Sequence, residues 1–209
     1  MSSVGATPDQ EVPEAPNPHL RHLAVAERGK IAALDGDHAK ALEWYRTALR
    51  MARIRNAPPP FARHYTDCIL ESLEHSEQYG PALELCRAAV TEMEEVSDPT
   101  PLQRYDHGSM LLRIAVLLLR QARGEEADRA LANALERAGE DALPLARELR
   151  SWRSRAWTIT PDRLTEAQRR HGLHVVRREA LRADLVRYAP ESPGPPEPPS
   201  GRHLRSRPT

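Results

Sequence analysis

One spacing recurs along this chain and limits what it can fold into. Ala41-x3-Tyr45-x2-Ala48 follows the turn-forming pair Gly36–Asp37, and the pattern returns as Ala82-x3-Cys86-x2-Ala89 and Ala127-x3-Leu131-x2-Ala134. Steps of four and three place all three residues on one helix face. Small residues at both ends let two helix axes approach, and the larger middle residue fills the space between them. The segment before each occurrence carries a weaker counterpart. These are Val25-x2-Arg28-Gly29-x2-Ala32, Thr66-x2-Ile69-Leu70-x2-Leu73 and Leu111-x2-Ile114-Ala115-x2-Leu118. A pattern that returns in phase describes an array of similar helical hairpins.

The residues available for packing agree. Hydrophobic residues are 40% of the 209-residue chain but aromatics only 4%, so Ala and Leu must fill the core. That favours close-packed helices over a sheet of aromatic and β-branched residues. Breakers fall at "NAPPP" (56–60), "SDPTP" (97–101) and "TITP" (158–161). Thr100–Pro101 and Thr160–Pro161 read as N-caps followed by proline at the first helical position. The intervening segments predict helices at 19–34, 38–54, 60–76, 79–95, 101–121, 124–138, 141–156 and 161–188. The expected fold class is all-α, with stacked antiparallel hairpins and C-terminal capping helices.

The chain divides accordingly. Residues 1–18 are polar and Pro-containing, and are expected to be disordered. Residues 19–138 hold three hairpins, and 139–189 hold Arg-rich capping helices. Residues 190–209, with seven prolines, form a second disordered tail. The N-terminus has neither a basic start nor an apolar stretch, so no secretory signal is read. "MLLRIAVLLL" (110–119) is too short to span a bilayer and contains Arg113. No membrane insertion is expected, and the predicted location is the cytoplasm. The rich Arg and Ala content is that of a GC-rich genome.

The pattern resembles the tetratricopeptide repeat family, in a divergent form of the kind seen in bacterial regulatory proteins. The resemblance covers residues 20–138 and is fullest in the first unit, through Gly29, Ala32, Gly36, Asp37, Ala41, Tyr45 and Ala48. The spacing between equivalent alanines is 41 and then 45 residues, against 34 in the family. The family's first-helix aromatic and terminal proline are missing. The resemblance implies a concave binding face lined by the first helix of each unit. Carried over position by position, that face comprises Leu23, Ala26, Lys30 and Ala33, then His64, Asp67, Glu71 and Glu74, then Ser109, Leu112, Val116 and Leu119. The family's carboxylate clamp is not expected, because only Lys30 fits it. Lys30, His64, Asp67, Glu71, Glu74, Leu112 and Val116 are therefore the candidate partner-binding groove. It is acidic in the middle and apolar at one end, suiting a helical or basic segment of another protein. The alternative is that the three acids form only a solvated face.

The net charge of zero hides an asymmetry. Residues 1–146 carry 16 basic against 23 acidic residues, and residues 147–209 carry 14 arginines against 7 acids. The two parts either attract each other or meet different partners. The tail arginines Arg202, Arg205 and Arg207 complement the acidic groove, in the same chain or in a second copy as a homodimer. The rival functional reading is a regulator that contacts nucleic acid through the Arg-rich C-terminal helix.

Catalysis finds little support. His64 and Cys68 lie one helical turn apart, but no orienting carboxylate or amide can be placed beside them. His171 and His174 are also one turn apart on the expected last helix, and two ligands seldom hold a metal. No phosphate loop, H-E-x-x-H or G-x-S-x-G is present. The reading is a non-catalytic adaptor or assembly component, with no cofactor and no metal.

Overall fold

The computed structural model describes residue 17 and residues 19–194. The N-terminal tail expected over 1–18, apart from Asn17, and most of the Pro-rich tail expected over 190–209 lie outside the described residues, as do Arg202, Arg205 and Arg207. The described chain is all-α. Its helices are α1 (Leu20–Leu34), α2 (His38–Ile54), α3 (Pro59–His75), α4 (Tyr79–Glu94), α5 (Pro101–Arg120), α6 (Gly124–Ala138), α7 (Pro144–Ser154) and α8 (Pro161–Arg170). Two 3-10 turns follow, at Arg178–Ala180 and Ala183–Tyr188. Helices α1 to α7 pack against their neighbours in chain order, most extensively α5 on α6 and α1 on α2, as a short helical solenoid. Among the described residues no helix is long and apolar enough to cross a membrane.

The helix starts follow from their caps. Thr100 and Gln103 form a reciprocal capping box before α5, Thr160 accepts from the Arg163 amide before α8, and Asp37 accepts from the Lys40 amide before α2. The ends share one device. After α1, α2, α3, α5, α7 and α8 the second residue past the helix turns left-handed, at Gly36, Asn56, Glu77, Ala122, Ala156 and Gly172. The next amide then bonds back five residues, as in Asp37 to Ala32, Gln78 to Leu73, Arg123 to Leu118 and Leu173 to Gln168, all at 2.8–2.9 Å.

The last of these turns corrects the single helix predicted over 161–188. Gly172, at φ +71°, closes α8 after ten residues. The chain beyond it carries the β-branched pair Val175–Val176 and doubles back. The capping role expected of that long helix falls instead to a short helix and a returning strap.

The recurring small residues lie where the helices approach most closely. Ala41, Tyr45, Ala48, Ala82, Cys86, Ala127, Leu131 and Ala134 are all completely buried, while Ala89 is half-exposed. A Cβ on Gly29 would sit 2.5 Å from the Tyr45 ring, and one on Gly108 would sit 2.7 Å from the Ala134 carbonyl oxygen. The apolar run in α5 is covered, with Leu111 to Leu118 all buried.

Two stability measurements check this account. Gly29→Ala is expected to cost about 1–3 kcal/mol in urea denaturation, because overpacking against a fixed ring exceeds the helix-propensity gain. A Tyr45→Leu background should return part of that loss. Ala122→Gly should instead gain up to about 1 kcal/mol, since an exposed left-handed position favours glycine.

A further expectation concerns pH. His22 is completely buried between α1 and α3, with its Nδ1 2.6 Å from the Tyr65 hydroxyl and its Nε2 3.0 Å from His19. Burial, assisted by His19 and Arg55, lowers its pKa to about 4. A histidine held below its unfolded value adds stability that is complete above about pH 6.5 and is lost as pH falls towards the folded value. The stability advantage of the natural chain over His22→Gln should therefore shrink by roughly 1–2 kcal/mol between pH 7 and pH 4.5. Paired denaturation curves at the two pH values measure it.

Candidate functional site

The first helices α1, α3, α5 and α7 present one continuous face, and the chain after Gly172 runs back along it. His171, at the turn, contacts Glu148 of α7 at 2.6 Å (Nε2 to Oε2). The Leu173 carbonyl accepts from Arg113 Nη2 of α5 at 3.1 Å. The amides of Val175 and Val176 both donate to Glu71 Oε2 of α3, at 2.7 and 3.1 Å. The Arg182 amide donates to Glu27 Oε2 of α1 at 2.8 Å. Leu185 is then buried against α1, and Ala189 packs on the cluster of Val25, Ala26, Trp44 and Tyr65. Residues 171–189 thus cross the hairpins in reverse order.

Of the predicted groove, Asp67, Glu71 and Leu112 line this face and Lys30 supports Glu27 within it, while His64, Glu74 and Val116 make other contacts. Glu74 is buried, accepts from Gln168 Nε2 at 2.9 and 3.0 Å, and pairs with Arg120 Nε at 3.0 Å. Glu71 is buried under the strap, and burial raises its pKa against the opposing pull of the Val176 and Val175 amides and Arg113. Asp67 is half-buried 3.6 Å from Arg113, and burial raises its pKa as well. Lys30 donates to Glu27 Oε1 at 2.8 Å, so the lysine holds the carboxylate that receives the strap. Leu112 shares a small cavity with Leu173, and Val116 is fully buried in the main core. His64 lies beside Cys68, with Nε2 3.8 Å from Sγ. The three acids do not form a solvated face.

The arginines expected on one helix are dispersed. Arg163 stacks over Trp152 and Trp157, with Cζ 4.2 and 4.8 Å from the ring centres. Arg169 pairs with Glu166, and Arg170 with Glu148, each at 2.7 Å. Arg187 bonds the Tyr188 hydroxyl at 2.9 Å. Arg169, Arg177 and Arg178 share the rim of one cavity beside α3. His171 and His174 do not face each other either: the first meets α7 and the second lies against α3.

Burial also decides the chemistry of the thiols. Cys68 is completely buried and its pKa is pushed far up, so it stays a thiol beside His64. Burial pushes Cys86 up to about 12.

Sequence reasoning missed Glu27, Arg113, Arg120, Gln168 and the strap itself. Glu27 lies one position after Ala26 on the inner face of α1. A lone arginine within "MLLRIAVLLL" is a signal for a buried partner, since such a charge must be paired. Gly172 was the visible breaker. A scan against protein-family models finds no match, and neither a characterised protein nor a solved structure matches the chain.

Replacing Glu71 by Ala removes the acceptor of two amides. Each bond to a charged acceptor contributes about 1.5–3 kcal/mol. Hydrogen exchange at Val175 and Val176 should accelerate at least about tenfold, while exchange in the α5–α6 core stays slow.

Proposed function

We propose that the chain is a non-catalytic protein-interaction module of the tetratricopeptide-like class, a cytoplasmic adaptor or assembly component. Its inner face receives an extended segment of a partner protein, and residues 171–189 occupy that face until the partner displaces them. The observation that carries this reading is the pair of buried carboxylates, Glu27 and Glu71, on backbone amides of the strap. Backbone amides are common to every extended segment, so a partner can replace these bonds one for one. Side-chain selection then falls to the seats of Leu173 and Leu185. The bound chain here is extended with short 3-10 turns, which favours an extended, Arg-flanked partner segment over the helical one suggested by the sequence.

The exchange is testable in the full chain. A protease site placed in the exposed Arg178–Ala180 turn allows the strap to be cut after folding. The cut protein should then bind a labelled peptide of residues 181–194 saturably, and a Leu185→Ala peptide should bind about tenfold more weakly or worse. A cut segment that never exchanges from an otherwise folded protein would show a closing element and not a binding site.

A further inference from the structure

The strap and α3 converge at one point that backbone bonding does not explain. Glu71 and His75 lie four residues apart on α3, on one helix face. His174 comes from the strap, and one donor atom of each residue lies within 4.8 Å of the other two. His174 is only 9% exposed, and its buried Nε2 has no hydrogen-bond partner. An imidazole nitrogen is seldom left in that condition without a use. Glu71 engages the strap amides through Oε2 alone, leaving Oε1 for another bond. The His75 ring is tilted 54° to that of His174 at 5.0 Å, and His38 stacks on it at 5.0 Å and 11°.

We infer that Glu71, His75 and His174 bind one divalent transition-metal ion of the zinc type. Two nitrogens and one carboxylate oxygen are a borderline-soft donor set suited to such an ion. Ligand bonds of this kind bring donor atoms to roughly 3.4 Å apart, so the three donors close in from within 4.8 Å when the ion binds. The fourth position opens on a cavity of about 430 Å³ whose rim includes Arg169, Arg177, Arg178 and Glu179. Arg169 is paired with Glu166, and Arg177 and Arg178 are exposed, so their repulsion of the ion is screened by water. Because two ligands come from α3 and one from the strap, the ion pins the strap to the array. Displacement of residues 171–189 would carry His174 away, so a bound ion opposes a partner on this face.

The test uses the untagged full-length chain. Calorimetric titration with Zn2+ should show one equivalent binding with micromolar Kd or tighter, and Co2+ should give the intense visible bands of a four-coordinate site. His174→Ala and His75→Ala should each weaken Zn2+ binding at least about tenfold, and His75→Ala, at an exposed position, should leave the helical circular dichroism unchanged. His171→Ala and His19→Ala should bind as the natural chain does. Zn2+ should slow hydrogen exchange at Val175 and Val176 in the natural chain but not in His75→Ala. Absence of saturable binding below about 100 µM Zn2+, or an affinity in either His75→Ala or His174→Ala equal to that of the natural chain, overturns the site. Because peptide exchange at residues 181–194 is measured without metal, either reading can fail while the other stands.

Discussion

The buried carboxylates of the inner face set the terms for the rest of the structure. An ionised carboxylate removed from water costs several kcal/mol unless hydrogen bonds and opposite charge replace the lost hydration. Glu27, Glu71 and Glu74 are each at most 5% exposed. Glu27 is answered by Lys30 and the Arg182 amide, Glu71 by the Val175 and Val176 amides, and Glu74 by Arg120 and Gln168. Without the returning chain, three of these partners are replaced by water and the face reverts to the acidic groove that the sequence suggests. The charge asymmetry between the two parts of the chain is met on the inner face by backbone amides and a glutamine, and elsewhere by ion pairs of Arg147, Arg150 and Arg153 with Asp141, Glu140 and Asp128.

How much of this was legible in the sequence follows from which forces are local. The hairpins were readable because small residues at helix crossings repeat with the helical period, and because caps such as Thr100–Pro101 act on neighbouring residues. The inner face was approached through the tetratricopeptide resemblance, whose groove positions carried onto this sequence give Lys30, Glu71, Glu74 and Leu112. The path after Gly172 was not. Its conformation depends on acceptors 104 and 155 residues earlier, at Glu71 and Glu27, and no periodicity within the segment encodes them. A glycine followed by Leu-His-Val-Val carried the only local sign that the helix stops.

The shared helix ending explains how an irregular repeat length coexists with regular stacking. Gly36, Glu77 and Ala122 are separated by the same 41 and 45 residues as the repeated alanines. Each left-handed turn fixes where the next helix begins, so added length is absorbed before it, in the longer α5 and in the connection Glu95–Thr100. Only two of the six turns use glycine. The others hold Asn, Glu and Ala in a costly conformation, which the five-residue backbone bond and the docked helices maintain.

The reversed course of the strap changes what kind of folding unit the molecule is. In an open solenoid each hairpin meets only its neighbours, and the array can assemble one unit at a time. Here the amide of Arg182 reaches Glu27 across 155 residues, joining the strap to α1. On the ribosome, Glu27 lacks this amide until residue 182 has emerged. Completion of the native state is therefore a late, long-range closure that couples both ends of the array, slower than its helical composition alone implies.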